Sequence, residues 1–563
     1  MPKRLWRVGL SSLVAAACSS SPVTQPPLPP CTATSGGQVS LGAGAYTAVD
    51  PTQTAGCAVF PANPLGSTIE YLVVPQSAST IPDDSQGFKL GGKPLPAPPL
   101  PGAPLAGPSV AQQFDLRLRL AEREFAAQLP VPLRAPPRIS AAVTPVDSGN
   151  VRTFKVCNVL TCDPSKPSTL STVTATALKV GTHIAIYVDN AAPTPGLSQS
   201  DLDNLRTVFD TRLYETDTLA FGRESDIDNN GMVIVLMTGK VNALVTSAQC
   251  TNPTGGYVAG YFFGADLITS GQFSTGNNGE IFYSIVPDAA GTLSCAHSVT
   301  AVTQLVPVTF VHEFQHMISF NQHFLRHCTP SGCFVPPEDL WLNEGLSHYA
   351  EENGGRTFLP DTATYCNYVF GDVYNAGQYF TAPQSHFLVD TAGIGGLANR
   401  GAYWLFVRYL VDQIGATLGS ADSVTRRLDM TTRTGAVNVS NVAGGTSFPT
   451  LLERWALANY VSDLPGFSAP SELQYLTWQF RSAFPTLRTA CNSIKIPAQF
   501  PLIPAVLDAT SVQVTGMLHA GSGSYYRLQH AAGAPQFSLL FSNSAGAALR
   551  VSLVPRLTVI RIQ

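Results

Sequence analysis

The stretch VTFVHEFQHMISF, residues 308–320, constrains this chain more than any other feature. His312 and His316 are four residues apart, so on a helix their side chains leave one face one turn apart. Glu313 lies between them. This is the H-E-x-x-H arrangement, in which two imidazoles hold a zinc ion and the carboxylate acts as general base. Val308, Val311 and Ile318 supply apolar surface, and Pro307 suits a first helical turn, so the spacing predicts a core helix over about 307–322.

Zinc in a catalytic site takes three protein ligands and keeps a fourth position open. A third histidine six residues beyond His316 would make a metzincin, but that position is Gln322, and Ser319 stands where the glycine would be. His323 and His327 have the wrong spacing. DLWLNEGLSHYAEE, downstream, predicts a second helix over about 340–352, with Leu342, Leu346 and Tyr349 or Ala350 on its buried face. Glu344 lies one turn before His348 on that helix and is the candidate third ligand. Asn343 and His348 are candidates to support the ligands, with His348 equally readable as an ordinary helix residue. Glu351 and Glu352 read as a solvated helix end. Five of the ten histidines fall within residues 312–348.

HEFQHMI followed by WLNEGLSHYAEE resembles the hyicolysin family of bacterial zinc metallopeptidases, within the gluzincin group. FGRESDIDNNGMVIVLMT, GYFFGADL and GEIFYSIVPD precede the zinc helix in the same order as in that family. The resemblance covers about 150–415. It implies an α+β, zincin-like metallopeptidase domain, a mixed sheet plus active-site helices. His312, His316 and Glu344 would be the ligands of one zinc ion, and Glu313 the base that activates its water. Tyr374, Tyr379, His386 and Tyr403 are the downstream candidates for stabilising the transition state. GEIFYSIV is a strand to which an extended peptide could add. The aminopeptidase signature G-x-M-E-N is absent, which favours an endopeptidase acting on proteins or peptides. The competing reading is a non-catalytic surface binding protein on a metallopeptidase scaffold.

The amino terminus bears on compartment. Lys3, Arg4 and Arg7 precede a short apolar stretch, VGLSSLVAAA, and then Cys18, so residues 1–17 read as a signal peptide. Cys18 would be the lipid anchor of a bacterial surface or outer-membrane lipoprotein, with 18–30 as its tether; the alternative is simple secretion. Without Cys18 ten cysteines remain, an even number suited to five disulfides in an extracytoplasmic setting. Cys157 with Cys162, Cys328 with Cys333, and Cys31 with Cys57 are natural local pairs. A net charge of −4 with no Lys/Arg-rich run gives no support to nucleic-acid binding, and contact with a membrane is expected only through the anchor.

Glycine and proline make up 91 of the 563 residues, and only 12% are charged. That composition argues against a helix bundle as the main architecture. Residues 31–92 read as an N-terminal β domain, 93–110 as a Pro-rich linker, and 111–500 as the metallopeptidase region. Residues 501–563 read as a C-terminal, β-sandwich-like domain. Residues 31–130 could serve as a propeptide. Phe114, Leu118 and Phe125 share one face of a predicted helix, and GAYWLFVRYLVDQIG (401–415) is apolar nearly all round. DIDNNG (226–231) opens like an EF-hand loop, but Met237 at the twelfth position cannot give the bidentate carboxylate, so a full EF-hand is excluded. A tight Asx-type turn is the simplest reading and a non-EF calcium site the other. His183, His519 and His530 lie in strand-like segments and read as structural.

Overall fold

The computed structural model describes residues 26–91, 108–128, 146–163, 166–252, 255–268, 276–329, 332–391 and 396–563. Cys18, the signal peptide, most of the tether and nearly all of the Pro-rich linker lie outside them. The architecture is α+β, with several sheets and many helices.

Four strands come first: β1 (Tyr46–Val49), β2 (Cys57–Phe60), β3 (Ile69–Ser77) and β4 (Ser85–Gly91). Helix α1 (Val110–Gln128) follows, burying Phe114 and Leu118; the Phe125 side chain lies outside the described residues. Next come β5 (Val151–Cys157), β6 (Leu170–Val180), β7 (Ile184–Asp189), α2 (Gln199–Val208) and α3 (Tyr214–Phe221). Ser198 caps α2 through a reciprocal capping box with Asp201. β8 (Val233–Met237), short helices α4 (Gly239–Asn242) and α5 (Ser247–Thr251), β9 (Gly260–Phe262) and β10 (Ile281–Ser284) complete a six-stranded sheet of order β5-β6-β7-β8-β10-β9. β7, β8 and β10 run parallel to one another, and β9 is an antiparallel edge. β10 is paired on both sides, so GEIFYSIV cannot receive a peptide strand; the sheet edge on that side is β9, whose Tyr261 and Phe262 are buried.

Helix α6 (Val299–Ser319) carries the first motif and α7 (Leu340–Arg356) the second. Between them the tiny hairpin β11 (Cys328–Thr329) and β12 (Gly332–Cys333) closes the Cys328–Cys333 disulfide. α6 starts earlier than the proline suggests. Ser298 caps it, and Val302 and Val306 extend its buried face, so Pro307 lies inside the helix and gives up one backbone donor.

The chain then stays helical: α8 (Thr362–Thr381), α9 (Leu397–Leu418), α10 (Ala421–Asp429), α11 (Gly435–Val442), α12 (Phe448–Val461) and α13 (Phe480–Ala490). This region is far more helical than a composition that argues against a helix bundle suggests. α9 is buried nearly all round, as its apolar sequence requires.

Five last strands are β13 (Ala505–Asp508), β14 (Gln513–His519), β15 (Tyr526–His530), β16 (Phe537–Asn543) and β17 (Pro555–Arg561). They do not form a domain of their own. They interleave with the first four strands in two sheets, β1-β17-β3-β15-β13 and β14-β4-β16-β2. The two expected terminal β domains are thus one sandwich built from both ends of the chain. β3 shows why. Tyr71 and Val73 face the sandwich interior, while Leu72 and Val74 join the core of the peptidase-like body. A strand covered on both faces is apolar at successive positions rather than alternate ones, as IEYLVV is.

All five disulfides form: Cys31–Cys57, Cys157–Cys162, Cys250–Cys295, Cys328–Cys333 and Cys366–Cys491. Among the described residues no helix is long and apolar enough to cross a membrane.

Candidate metal centre and active site

α6 and α7 pack against each other so that their motifs meet. His316 Nε2 is 3.3 Å from Glu344 Oε1, and His312 Nε2 is 3.8 Å from Glu344 Oε2. Two ligands on a tetrahedral zinc, each about 2.1 Å from the ion, stand about 3.4 Å apart. The observed separations therefore suit that ion. All three side chains are buried. Neither oxygen of Glu344 receives a well-aligned hydrogen bond, although Arg400 Nη1 lies 3.2 Å from Oε2. A buried carboxylate without aligned donors, facing two imidazoles, fits a metal ligand.

Burial, with the Arg119 charge adding to it, drives the His316 pKa down to about 4, which keeps its ring neutral and able to ligate. Burial raises Glu344, but Arg400 and the two histidines outweigh this and hold it well below the carboxylate range.

His312 is fixed from behind. Its Nδ1 lies 2.7 Å from Glu351 Oε1, so as donor to that carboxylate it leaves Nε2 free for a metal. His348 Nδ1 is 3.1 Å from the same oxygen and 2.9 Å from Asp372 Oδ1. Burial opposes charge on Glu351, but His348 and His312 overcome it and bring the pKa to about 2. Glu351 is therefore no solvated helix end. Glu352 is not one either: it is fully buried and takes hydrogen bonds from Trp404, Trp478 and Arg356. Helical periodicity marks both residues as polar, and only the packing of α8, α9 and the segment around Trp478 shows that α7 is enclosed.

Glu313 sits beside the triad without joining it. Its Oε2 accepts from the backbone N–H of Phe262, the last residue of edge strand β9, at 3.0 Å. Burial pushes its pKa up from the usual carboxylate range, against the pull of His312 and Arg119.

Of the four downstream candidates, Tyr403 alone lines the small cavity beside Glu344, with Arg400, Asp115 and Leu340. Its hydroxyl donates to Asp390. Tyr379 is stacked on Trp455 with its hydroxyl at Ser522, and Tyr374 is stacked on Phe370. The His386 ring lies 6.4 Å from the Tyr379 ring, in the segment between α8 and α9 that packs against the β-sandwich. Asn343 is buried on α7 with its Oδ1 unpartnered.

Sequence reading missed α1 at this site. Arg119 Nη2 donates to the Phe262 carbonyl at 2.6 Å and approaches Glu313 Oε2 at 3.9 Å. Glu122 accepts from Gly264 N at 2.7 Å, and Asp115 pairs with Arg400 at 2.6 Å. The helix thus covers the polar backbone groups that flank the Glu313 carboxylate.

No known family profile matches the chain. Over 205 residues it is 28% identical to the neutral metalloprotease ShpI of Staphylococcus hyicus, a match spanning 36% of this chain and 40% of that protein. The chain therefore matches less than half the length of this relative. Among solved structures it is similar to a mutant M1 zinc metallopeptidase from Deinococcus radiodurans bound to a Tyr-Ser-Ala substrate. That likeness has 11% identity, covers 55% of this chain and 61% of the other, and has a TM-score of 0.27, which carries no argument about fold.

Proposed function

We propose that the chain is an exported zinc-dependent endopeptidase of the gluzincin type, related to the hyicolysin group. The observation that carries this reading is the convergence of His312, His316 and Glu344, with Glu313 alongside. The similarity to a neutral metalloprotease supports it, and five disulfides favour an extracytoplasmic setting.

Bound to the triad, zinc would polarise the scissile carbonyl and acidify the attacking water. Glu313 takes the proton of that water and returns it to the leaving nitrogen. The Phe262 N–H holds the carboxylate in position for both transfers. Glu351 fixes the His312 ring, and Ser347 Oγ, 3.2 Å from Nδ1 of His316, steadies the other. Tyr403, or Arg400 next to it, is the group best situated to meet the developing oxyanion. Strand β9 offers the backbone edge along which an extended substrate would lie. Cys18 would tether the enzyme to a bacterial membrane.

The test is metal analysis of the purified chain together with hydrolysis of a peptide blocked at both ends. One zinc per chain and chelator-sensitive cleavage are expected. Glu313→Gln should keep its zinc and lose about 10²–10⁴-fold in rate. A wild type that holds zinc but cleaves nothing, even after α1 is released from the cleft, would favour the binding-protein reading.

A further inference from the structure

The acidic loop Asp226–Gly231, between α3 and β8, has no part in the peptide chemistry. Its backbone passes through the left-handed region at Asn229 (φ 55°) and Gly231 (φ 69°), and Gly231 N donates to Asp226 Oδ1 at 3.1 Å. One carboxylate oxygen from each of Asp226, Asp228 and Glu280 lies within 4.8 Å of the other two. Glu280 comes from a different element: it immediately precedes β10. It is 1% exposed. Its Oε1 accepts from Ser225 Oγ and Ile227 N, but its Oε2 is buried with no hydrogen-bond partner, as is Asp228 Oδ1. Arg152 pairs with Asp228 Oδ2 at 3.0 Å. One guanidinium faces three carboxyl groups. Burial raises the Glu280 pKa to about 8, with the neighbouring aspartates adding to it, and burial raises Asp228 as well.

We propose that Asp226, Asp228 and Glu280 bind one calcium ion. Glu280 supplies from just ahead of β10 the distant carboxylate that Met237 denies to the loop itself. The donors are all oxygen, which selects a hard cation over zinc or another nitrogen- and sulfur-seeking metal. Calcium accepts six to eight oxygens in adaptable geometry, so three carboxylates and water suffice, whereas magnesium demands a tight octahedron. The ion would join the loop ahead of β8 to the start of β10. These two strands pair in parallel, with Ile281 opposite Ile234. Calcium would therefore pin the sheet that carries β9, while staying outside the zinc chemistry.

The experiment uses the full, disulfide-bonded chain, stripped of metal and reloaded with one equivalent of zinc. It is then titrated with calcium chloride, with magnesium chloride as control, following bound metal and melting temperature. One calcium per chain is expected, with a rise in melting temperature that magnesium does not reproduce. Glu280→Gln should keep zinc and lose calcium affinity by about tenfold or more. Asp226→Asn, on the partly exposed loop, repeats the test should the first variant fail to fold. His316→Ala should lose zinc but keep the calcium response, which separates failure here from failure of the peptidase reading. No stoichiometric calcium in the wild type at millimolar concentrations, an equal response to magnesium, or calcium binding unchanged in both loop-site variants would overturn the proposal.

Discussion

Glu351 holds the His312 ring through a 2.7 Å contact and is itself held by His348, which leans on Asp372. Glu351→Gln keeps the size of the side chain and removes the charge that fixes the Nδ1 proton. Zinc affinity is expected to fall about 10–100-fold, as for other carboxylates behind a ligating imidazole; competition against a chromogenic chelator measures it. An unchanged affinity would mean that Glu351 only fills space. His312, Glu313 and His316 stood out in the sequence because two imidazoles recur at helical spacing, and Glu344 because the motif around it resembles that of the hyicolysin group. Glu351 did not, because a charged residue late in a helix has the same pattern whether it faces water or a buried histidine. Arg119 lies almost two hundred residues from Glu313, and nothing local in the sequence joins them.

Helix α1 shows how an element read correctly as an element can be misjudged in its placement. Its apolar periodicity was visible, and Phe114 and Leu118 are buried as that spacing requires. What the spacing did not carry is that Arg119 and Glu122 cap the Phe262 carbonyl and the Gly264 amide, groups that an extended peptide on β9 would need. A buried hydrogen bond to a charged group contributes about 1.5–3 kcal/mol, so releasing one shifts the closed-to-open balance roughly tenfold or more. The double variant Arg119→Ala/Glu122→Ala is therefore expected to cleave a blocked peptide at least about tenfold faster than the unmodified chain, with a lower apparent KM as well as a higher rate. A variant slower than the parent would show that α1 builds the cleft rather than covers it.

At the scale of the whole molecule, buried acids set how stability responds to pH. Asp429 is buried with both oxygens unpartnered, and burial raises its pKa from 3.8 to about 8, against a modest opposing pull from Ser319. Its contribution is full below pH 3.8. As pH rises towards 8 the unfolded chain releases the proton and the folded chain keeps it, so stability falls over that window and levels off above it. Asp429→Asn removes this loss, and its melting temperature should gain on the wild type steadily between pH 5 and pH 8. A parallel pair of curves would mean that Asp429 is ionised in the fold.

The terminal strands make the stronger test of architecture. Each end of the chain was legible as β-rich, because alternation and turn residues are local signals. Their interleaving was not, since a pairing such as Tyr46 with Ile560 joins residues more than five hundred apart and leaves no mark at either place. The consequence is specific. Among the described residues, the strand partner of β1 is β17 and that of β2 is β16, with a short bridge from Gln38 to Val59, while β3 lies between β15 and β17. A chain ending at residue 500 would lose the β15, β16 and β17 neighbours of these three strands and expose the sandwich faces of Tyr71, Val73 and Phe60. Removing residues 31–91 as a propeptide would do the converse damage to β15, β16 and β17. We expect the truncated chain to be cut rapidly within residues 46–91 under limited proteolysis, and to bind a hydrophobic dye that the full chain excludes. Two independent terminal domains would predict the opposite, a protected N-terminal fragment with unchanged proteolysis. Cleavage confined to α1 and its flanking segments would leave both sheets whole, so any maturation that opens the cleft should fall there and spare β1 to β4.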